Sequence, residues 1–593
     1  MENGTDWFEE FVLRALKIVV SVVEVKKEVA VMLMPVLMYK IGNDSAPKVK
    51  MECLRALPLM AKTKENVPII VSFLNKLKAK KGVPTSLLIA LYTSLAETQV
   101  RCFPYLQELL VEGAPARDDE SKWELDVARA VAVDRICEIR ASSHGLELVS
   151  IISALLNRCT DRSGSAATSA ALSALRRLWL AAAVAPPGAW RALRPRLDRD
   201  ARPAVQPSVC KLLSEVPGLR VSTPEYDTLI SEATRKLWSY IAEANEPEVV
   251  EAACDALANY KLDDYKLKDI PEVYRRTVKL PAAFCKTPAD AARKPEDVLD
   301  YVPCEIWPEV FKYTNQAALA GVERLATRLI EREVKGYRSG VYQVEGRGEP
   351  QGLGYLPPHS VLRGLMECFR KQVTSPSYLM PEAVLLSIAN VLGAEFPRAP
   401  PPLDVCFLHE AFHRGDAWKE RSLRLAARYA AASGSARRLL QNYLVATQPP
   451  EAQESDILLI FELLPILCRT MPPNSIREPL EKCLFHSWEQ ASKIKATDVV
   501  EKEPLFVTQL TMIKACLDSK IHDANRTLLS QFVENYYTVI PEDNVAWKPY
   551  ISCCLSLSAA ALERMSSPSS WWEVSGAQLR RAGGLRGGLA ANE

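Results

Sequence analysis

The stretch SAPKVKMECLRALPLM, Ser45 to Met60, opens with a serine and a proline and continues as an apolar stripe. Ser45 is a candidate N-cap, and Pro47 stands in the first turn, where its missing N–H removes no hydrogen bond. Val49, Cys53, Ala56, Leu57 and Met60 recur at three- and four-residue spacing, so they share one face of a helix. GVPTSLLIALYTSLAE, Gly82 to Glu97, repeats the form, with Pro84 at its opening and Leu88, Leu91 and Leu95 on the stripe. NEPEVVEAACDALANY, Asn245 to Tyr260, repeats it again. Here Asn245 is the candidate cap, Pro247 lies in the first turn, and Val250, Ala253, Cys254 and Leu257 form the stripe. Second helices lie between these first ones, in ENVPIIVSFLNKLKAK (Glu65–Lys80) and CFPYLQELLVEG (Cys102–Gly113).

The spacing converts these helices into an architecture. Pro47 and Pro84 are 37 residues apart, and Pro84 and Pro247 are 163 apart, which is close to four units of about 40. One helical pair cannot bury its apolar stripe alone, so it stacks on the next pair. Ala252, Ala253 and Ala256 supply a small-residue seam for close helix approach. The expected fold is therefore all-α: a HEAT- or armadillo-like α-solenoid, a right-handed superhelix of helical pairs. No run alternates apolar and polar residues convincingly enough for a strand, and the short β-like piece GVYQVEG, Gly340–Gly346, sits in a glycine-rich loop.

The second half reads as helical but less regular. Its expected helices are Glu305–Lys335, His359–Lys371, Pro381–Leu392, Asp416–Ala432, Asp456–Arg469, Ile476–Ser492, Asn525–Tyr537 and Asn544–Leu557. Two Gly/Pro-rich breaks, Ser339–Pro358 and Phe396–Asp404, read as loops or linkers. The organisation that follows is a repeat array over 1–338, a loop over 339–358, a second helical region over 359–560 and a disordered or divergent tail over 561–593. Periodicity is lost after Ser566.

Composition narrows the class. The net charge of +2 argues neither for nor against nucleic acid as a partner. The fifteen cysteines lack any C-x-x-C spacing, which points to reduced core thiols in a cytoplasmic protein. Met1 to Glu10 carries acids where a secretory leader would carry bases. The run VAVMLMPVLMY, Val29–Tyr39, is too short for a bilayer and reads as a buried helix with Pro35 as a kink or boundary. No other segment reads as long and apolar enough for a membrane span.

Two stretches suggest chemistry. Arg176, Arg177, Arg191, Arg194, Arg196, Arg199 and Arg202 make an arginine-rich stretch over 176–202. It is either a stripe for RNA or an acidic partner or a solvated helical face. Asp198 and Asp200 interrupt the charge and aromatic residues are few, which favours the solvated face. The second stretch is FLHEAFHRGD, in which His409-Glu410-Ala411-Phe412-His413 spells H-E-x-x-H. In a zinc protease two such histidines bind the metal and the glutamate activates water. A third ligand is required, but the extended pattern needs Gly at 416 and His at 419, where Asp416 and Lys419 stand. The same letters also read as an ordinary amphipathic turn. Asp404 would cap it, Leu403 and Leu408 would form a hydrophobic staple, and Phe407, Leu408, Ala411 and Phe412 would face the core. The weak metal candidates are thus His409, Glu410 and His413. Arg414-Gly415-Asp416 reads as a chance tripeptide with Gly415 ending the helix. No phosphate-binding loop, nucleophile elbow or dinucleotide fingerprint is present, so no catalytic residue and no cofactor site is assigned.

YLPPHSVLRGLMECFRKQVTSPSYLMPEAVLLSIANVLGAEFPRAPPPLD, Tyr355 to Asp404, resembles the C-terminal half of the focadhesin family. Ala61 to Leu110 resembles a helical region nearer the middle of that family, and the likeness extends over roughly residues 5–560. Focadhesins are longer chains, so the resemblance implies that this one is partial. It further implies a cytosolic armadillo-like scaffold associated with focal adhesions and with maintaining the superkiller helicase complex, which feeds RNA to the exosome. The expected partners are then superkiller subunits or focal-adhesion proteins. The residues themselves leave open an RNA-binding solenoid using 176–202 and, more remotely, a zinc metalloprotease through 409–413.

Overall fold

A computed structural model describes residues 3–561 apart from 44–45, 81, 112–120, 286–292, 337–348, 376–379, 399–400, 499–501, 537–538, 542 and 559–560. The candidate cap Ser45, the piece Gly340–Gly346 and the tail beyond Ala561 lie outside the described residues. The described residues form helices throughout and no strand, with a single isolated bridge between Lys495 and Asn544. The fold is an all-α solenoid of helical pairs. The chain divides into two compact units, Met1–Pro271 and Glu272–Glu593. This division falls earlier in the chain than the Gly/Pro-rich stretch expected to mark one.

The first unit holds helices α1 (Asn3–Val25), α2 (Val29–Asn43), α3 (Pro47–Ala56), α4 (Val67–Ala79), α5 (Thr85–Thr98) and α6 (Phe103–Val111). It continues with α7 (Lys122–Arg158), α8 (Ser165–Leu180), α9 (Pro186–Leu197), α10 (Gln206–Leu213), α11 (Pro224–Glu243) and α12 (Pro247–Leu257). Helix α3 buries Val49, Cys53 and Ala56 as the stripe requires, but it stops at Ala56. Leu57–Lys62 continues as a 3-10 turn. Pro58 lacks the N–H that a further α-turn needs, so the turn tightens while Leu57 and Met60 remain buried. The cap of α12 is Glu246 rather than Asn245, with no side-chain bond to the helix.

The repeat length is visible in polar contacts that step one unit along the chain. Asn66 donates to the Ala30 carbonyl at 3.2 Å, 36 residues back, and Gln99 donates to the Ala61 carbonyl at 2.6 Å, 38 back. Arg177 pairs with Asp134 at 2.9 Å and Arg176 with Glu215 at 2.8 Å. Ser231 and Arg235 both reach the buried Asp269 carboxylate. Helix packing follows the same step, with α5 on α7, α7 on α8, α8 on α10 and α10 on α12. Trp179 and Trp238 lie in the resulting core.

Helix α7 tests the expectation that no segment spans a membrane. At 37 residues it is long and apolar enough to cross a membrane by length and composition. Its backbone breaks at Arg140, where φ is −139° and ψ is 33°. Arg158 then pairs with Asp126, and its Nε donates to the same carboxylate at 3.2 Å. In a straight helix residues 126 and 158 would stand about 48 Å apart at 1.5 Å per residue. The element is therefore a helical hairpin, and its apolar length is that of two shorter helices packed in the stack.

The second unit repeats the scheme with more irregular joints. The expected helix Glu305–Lys335 is two helices, Ile306–Tyr313 and Leu319–Gly336. The Thr314 hydroxyl bonds back to the Val310 carbonyl at 2.6 Å, and the Asn315 side chain accepts from Ala317 N at 3.1 Å and starts a new turn. The expected helix Asp456–Arg469 likewise divides into Glu454–Glu462 and Leu464–Thr470, ahead of Pro465. Helices Gly434–Ala446 and Leu505–Leu517 were not among those expected. The stretch Ser339–Pro358 is a packed loop in its described part. The Glu349 carboxylate accepts from Ser433 and Ser435, Tyr355 donates to the Pro402 carbonyl at 3.0 Å, and Leu353 and Leu356 are buried.

Candidate functional site

The arginine-rich stretch lies on α8 and α9 and on the loop after α9. Most of its charge is spent within the fold. Arg176 and Arg177 carry the pairs above, and Arg177 also reaches Glu138 at 3.0 Å. Arg194 pairs with Glu232, which accepts from the buried Trp190 indole at 3.1 Å as well. Arg202 is largely buried and bidentate on Asp200, at 2.9 and 2.6 Å. It also donates to the Cys159 and Asp161 carbonyls at 3.1 and 2.8 Å. Burial alone would raise the Asp200 carboxyl, but the hydrogen bonds and charge of Arg202 outweigh it and hold the pKa below the ordinary carboxylate value. Arg196 donates to Asn157 at 2.9 Å, and Arg191 and Arg199 are exposed. The seven arginines thus do not form one free basic stripe.

The H-E-x-x-H stretch is a helix of five residues, Leu408–Phe412. Asp404 does not cap it: the Asp404 carboxylate accepts from Cys406 N at 2.9 Å in a local turn, and the cap is Phe407, with no side-chain bond. Leu403, Phe407, Leu408 and Ala411 are buried, as the amphipathic reading requires. His409 is half-buried, while Glu410 and His413 are exposed. The helix ends at Phe412, and the His413 ring sits edge-on to Phe412 with centroids 5.2 Å apart. Among the described residues no three His, Cys, Asp or Glu side chains are grouped as a metal site needs. Gly415, at φ 135°, starts the next helix, Asp416–Tyr429.

Surface chemistry of a different kind appears on α1 and α2. Sequence reading placed Val29–Tyr39 in the core, and Ala30, Met34 and Leu37 are indeed buried. The opposite face is not, for Met32 is 76% and Tyr39 67% exposed, with Val36 between them. On α1, Ile18, Val22 and Val25 are exposed at the same i, i+4, i+7 spacing. The signal was in the letters: a helix apolar on all sides expects cover on all sides. Exposed apolar stripes of this kind mark surfaces that other protein covers.

All fifteen cysteines are free thiols, and only Cys285 and Cys406 are not buried. Burial pushes the Cys137, Cys210 and Cys304 thiols up to about 12, so they stay protonated in the core.

Residues 34–257 match the family model described as Focadhesin/RST1, DUF3730. Focadhesin of Homo sapiens is 29% identical over 319 residues, a match covering 53% of this chain and 17% of that protein. Focadhesin of Danio rerio is 29% identical over 335 residues, covering 55% of this chain and 18% of the relative. The match therefore spans about a sixth of the length of these curated relatives. Among solved structures, a Kap121p mutant is similar over 96% of this chain and 55% of its own, with 12% identity and a TM-score of 0.49. Kap121p bound to Pho4p is similar over 95% and 53%, with 13% identity and a TM-score of 0.47. By its sequence, this chain is similar to the focadhesins over about half of its length.

Proposed function

We propose that the chain is a non-enzymatic scaffold of the cytoplasm that binds protein partners along its helical repeats. The observation that carries this reading is the pair of exposed apolar stripes on α1 and α2, at the start of a repeat stack of which residues 34–257 match the Focadhesin/RST1 family model. A stacked array displays a long row of side chains, and many modest contacts sum to one specific interface. Binding a folded partner lowers the population of its unfolded and degraded forms by mass action. The resemblance to focadhesin favours superkiller subunits or focal-adhesion proteins as those partners.

Affinity capture from cytosolic lysate tests this, comparing the chain with a Met32→Glu/Val36→Glu variant and measuring zinc in the same purified protein. The expected result is recovery of superkiller subunits or adhesion proteins by the original chain, weakened in the variant, without stoichiometric zinc. Recovery of neither class by either chain would overturn the reading. One zinc per chain, lost on substituting His409 and His413, would reinstate the metalloprotease.

A further inference from the structure

One groove in the first unit is lined by unspent positive charge. It has a volume of about 720 Å³ and lies where the end of α9 and the loop after it meet the start of α8. Four arginines line it, Arg162, Arg196, Arg199 and Arg202, together with one acidic residue, Asp200. Arg202 is committed to Asp200 and to two carbonyls, and it forms the fixed back of the groove. Arg196 holds only the neutral Asn157 side chain, and its second terminal nitrogen is buried without a hydrogen-bond partner among the described residues. Arg162 and Arg199 are exposed, and among the described residues neither is paired with a carboxylate. The nearby Asp161 carboxylate is occupied by Ser163 and by Gly164 N at 2.8 and 2.9 Å. Burial and the charge of Arg202 lower the pKa of Arg196, as expected for two cations held close together. The start of α8 adds to the field. Its cap, Gly164, offers no side-chain acceptor, and Ser165 lines the groove.

We propose that this groove binds a phosphoryl group carried on a peptide segment of a protein partner, with Arg162, Arg196 and Arg199 as its ligands. Several arginines lining one groove fit a dianion better than a single carboxylate, because planar forks donate to several oxygens at once. A peptide fits better than RNA for two reasons. The lining holds no aromatic side chain for base stacking, and Ala201, Pro203 and Ala204 supply apolar flanks. Beyond the groove, Arg176, Arg177 and Arg194 are paired with carboxylates, which leaves Arg191 as the one exposed arginine of the stretch outside it. The inference rests on the scaffold reading, and it names the chemistry one partner would carry.

Titration calorimetry at fixed ionic strength tests it with four probes: a short phosphoserine peptide with neutral flanks, its serine parent, inorganic phosphate and a mixed-sequence single-stranded RNA. The phosphoserine peptide is expected to bind, the serine parent not, and inorganic phosphate more weakly than the peptide. An Arg162→Gln/Arg199→Gln variant changes two exposed side chains and should fold normally. It is expected to lose about tenfold or more in peptide affinity, a loss on the scale of charge-assisted hydrogen bonds. No binding of the phosphopeptide, binding unchanged in the variant, inorganic phosphate binding as tightly as the peptide, or RNA binding through the same arginines would each overturn the inference. Capture of protein partners by a chain that ignores the phosphopeptide would sink this inference and leave the scaffold standing.

Discussion

Residues 176–202 and residues 409–413 both advertise chemistry in the sequence, and the structure treats them in opposite ways. The arginine-rich stretch has no formal motif, only a bias in composition. It supplies the pairs that fasten neighbouring repeats, and one end of it lines a groove with spare charge. The second stretch matches a formal motif letter for letter, yet its helix is five residues long and two of its three polar members are exposed. A motif specifies spacing along an element, and it acts only if the element is long enough to hold that spacing and other elements deliver the missing ligand. In a solenoid the partner of a charge lies about 40 residues away, where no local pattern reveals it.

The largest expected effect tests the structural half of this contrast. Arg202→Ala removes a nearly buried guanidinium and leaves Asp200, with its side chain 10% exposed, without its hydrogen-bonded counter-charge. Breaking such a pair costs about 3 kcal/mol, so the urea midpoint of the first unit should fall markedly. A midpoint unchanged within error would show that the pair is ornamental and that the stretch is free surface after all. Acid sharpens the same point with a smaller effect. The folded pKa of Asp200 lies below its unfolded value, which is about 3.9 for an aspartate. Its contribution to stability is therefore fully present above that value and is lost as pH falls through the folded pKa. Urea midpoints measured from pH 7 down to pH 3 should decline less steeply at the acid end in Arg202→Ala than in the original chain. Parallel declines would remove Asp200 as the source.

The helical-pair architecture was legible because it depends on local periodicity. Val49, Cys53 and Ala56 on α3 and Val250, Ala253, Cys254 and Leu257 on α12 are buried as their spacing requires. Joints were less legible, because they depend on single backbone donors and short-range side-chain bonds. Pro58 converts a helix end to a 3-10 turn, Thr314 and Asn315 divide one expected helix into two, and Arg140 folds α7 back on itself. Helix Gly434–Ala446 escaped notice since its start, Ser433-Gly434-Ser435, reads as a loop until Glu349 arrives from 84 residues upstream. The candidate groove was half legible. The arginines stood out, but only the contacts of Arg176, Arg177, Arg194 and Arg202 separate spent charge from unspent. The apolar stripe of α2 was misread as wholly core because periodicity cannot say which of two apolar faces finds a neighbour within the chain.

The smallest expected effect tests the other half of the contrast. His413 is exposed, and His409 is half-buried beside a core formed by Leu408 and Ala411. A His409→Ala/His413→Ala variant should therefore change stability by less than about 0.5 kcal/mol, the range of surface substitutions, because His413 ends the helix through its backbone N–H and not its side chain. The two residues flank a single turn, and substituting alanine at 409 raises helix propensity, so any small change should lean towards stabilisation. A structural zinc would behave differently, because metal binding supplies folding free energy directly. If the double variant instead drops the thermal midpoint by many degrees, and a chelator drops the original chain by the same amount, the five-residue helix is a metal site completed by residues elsewhere. A flat response to both leaves the match at 409–413 as coincidence, and the contrast with the arginine ladder stands on measured stabilities.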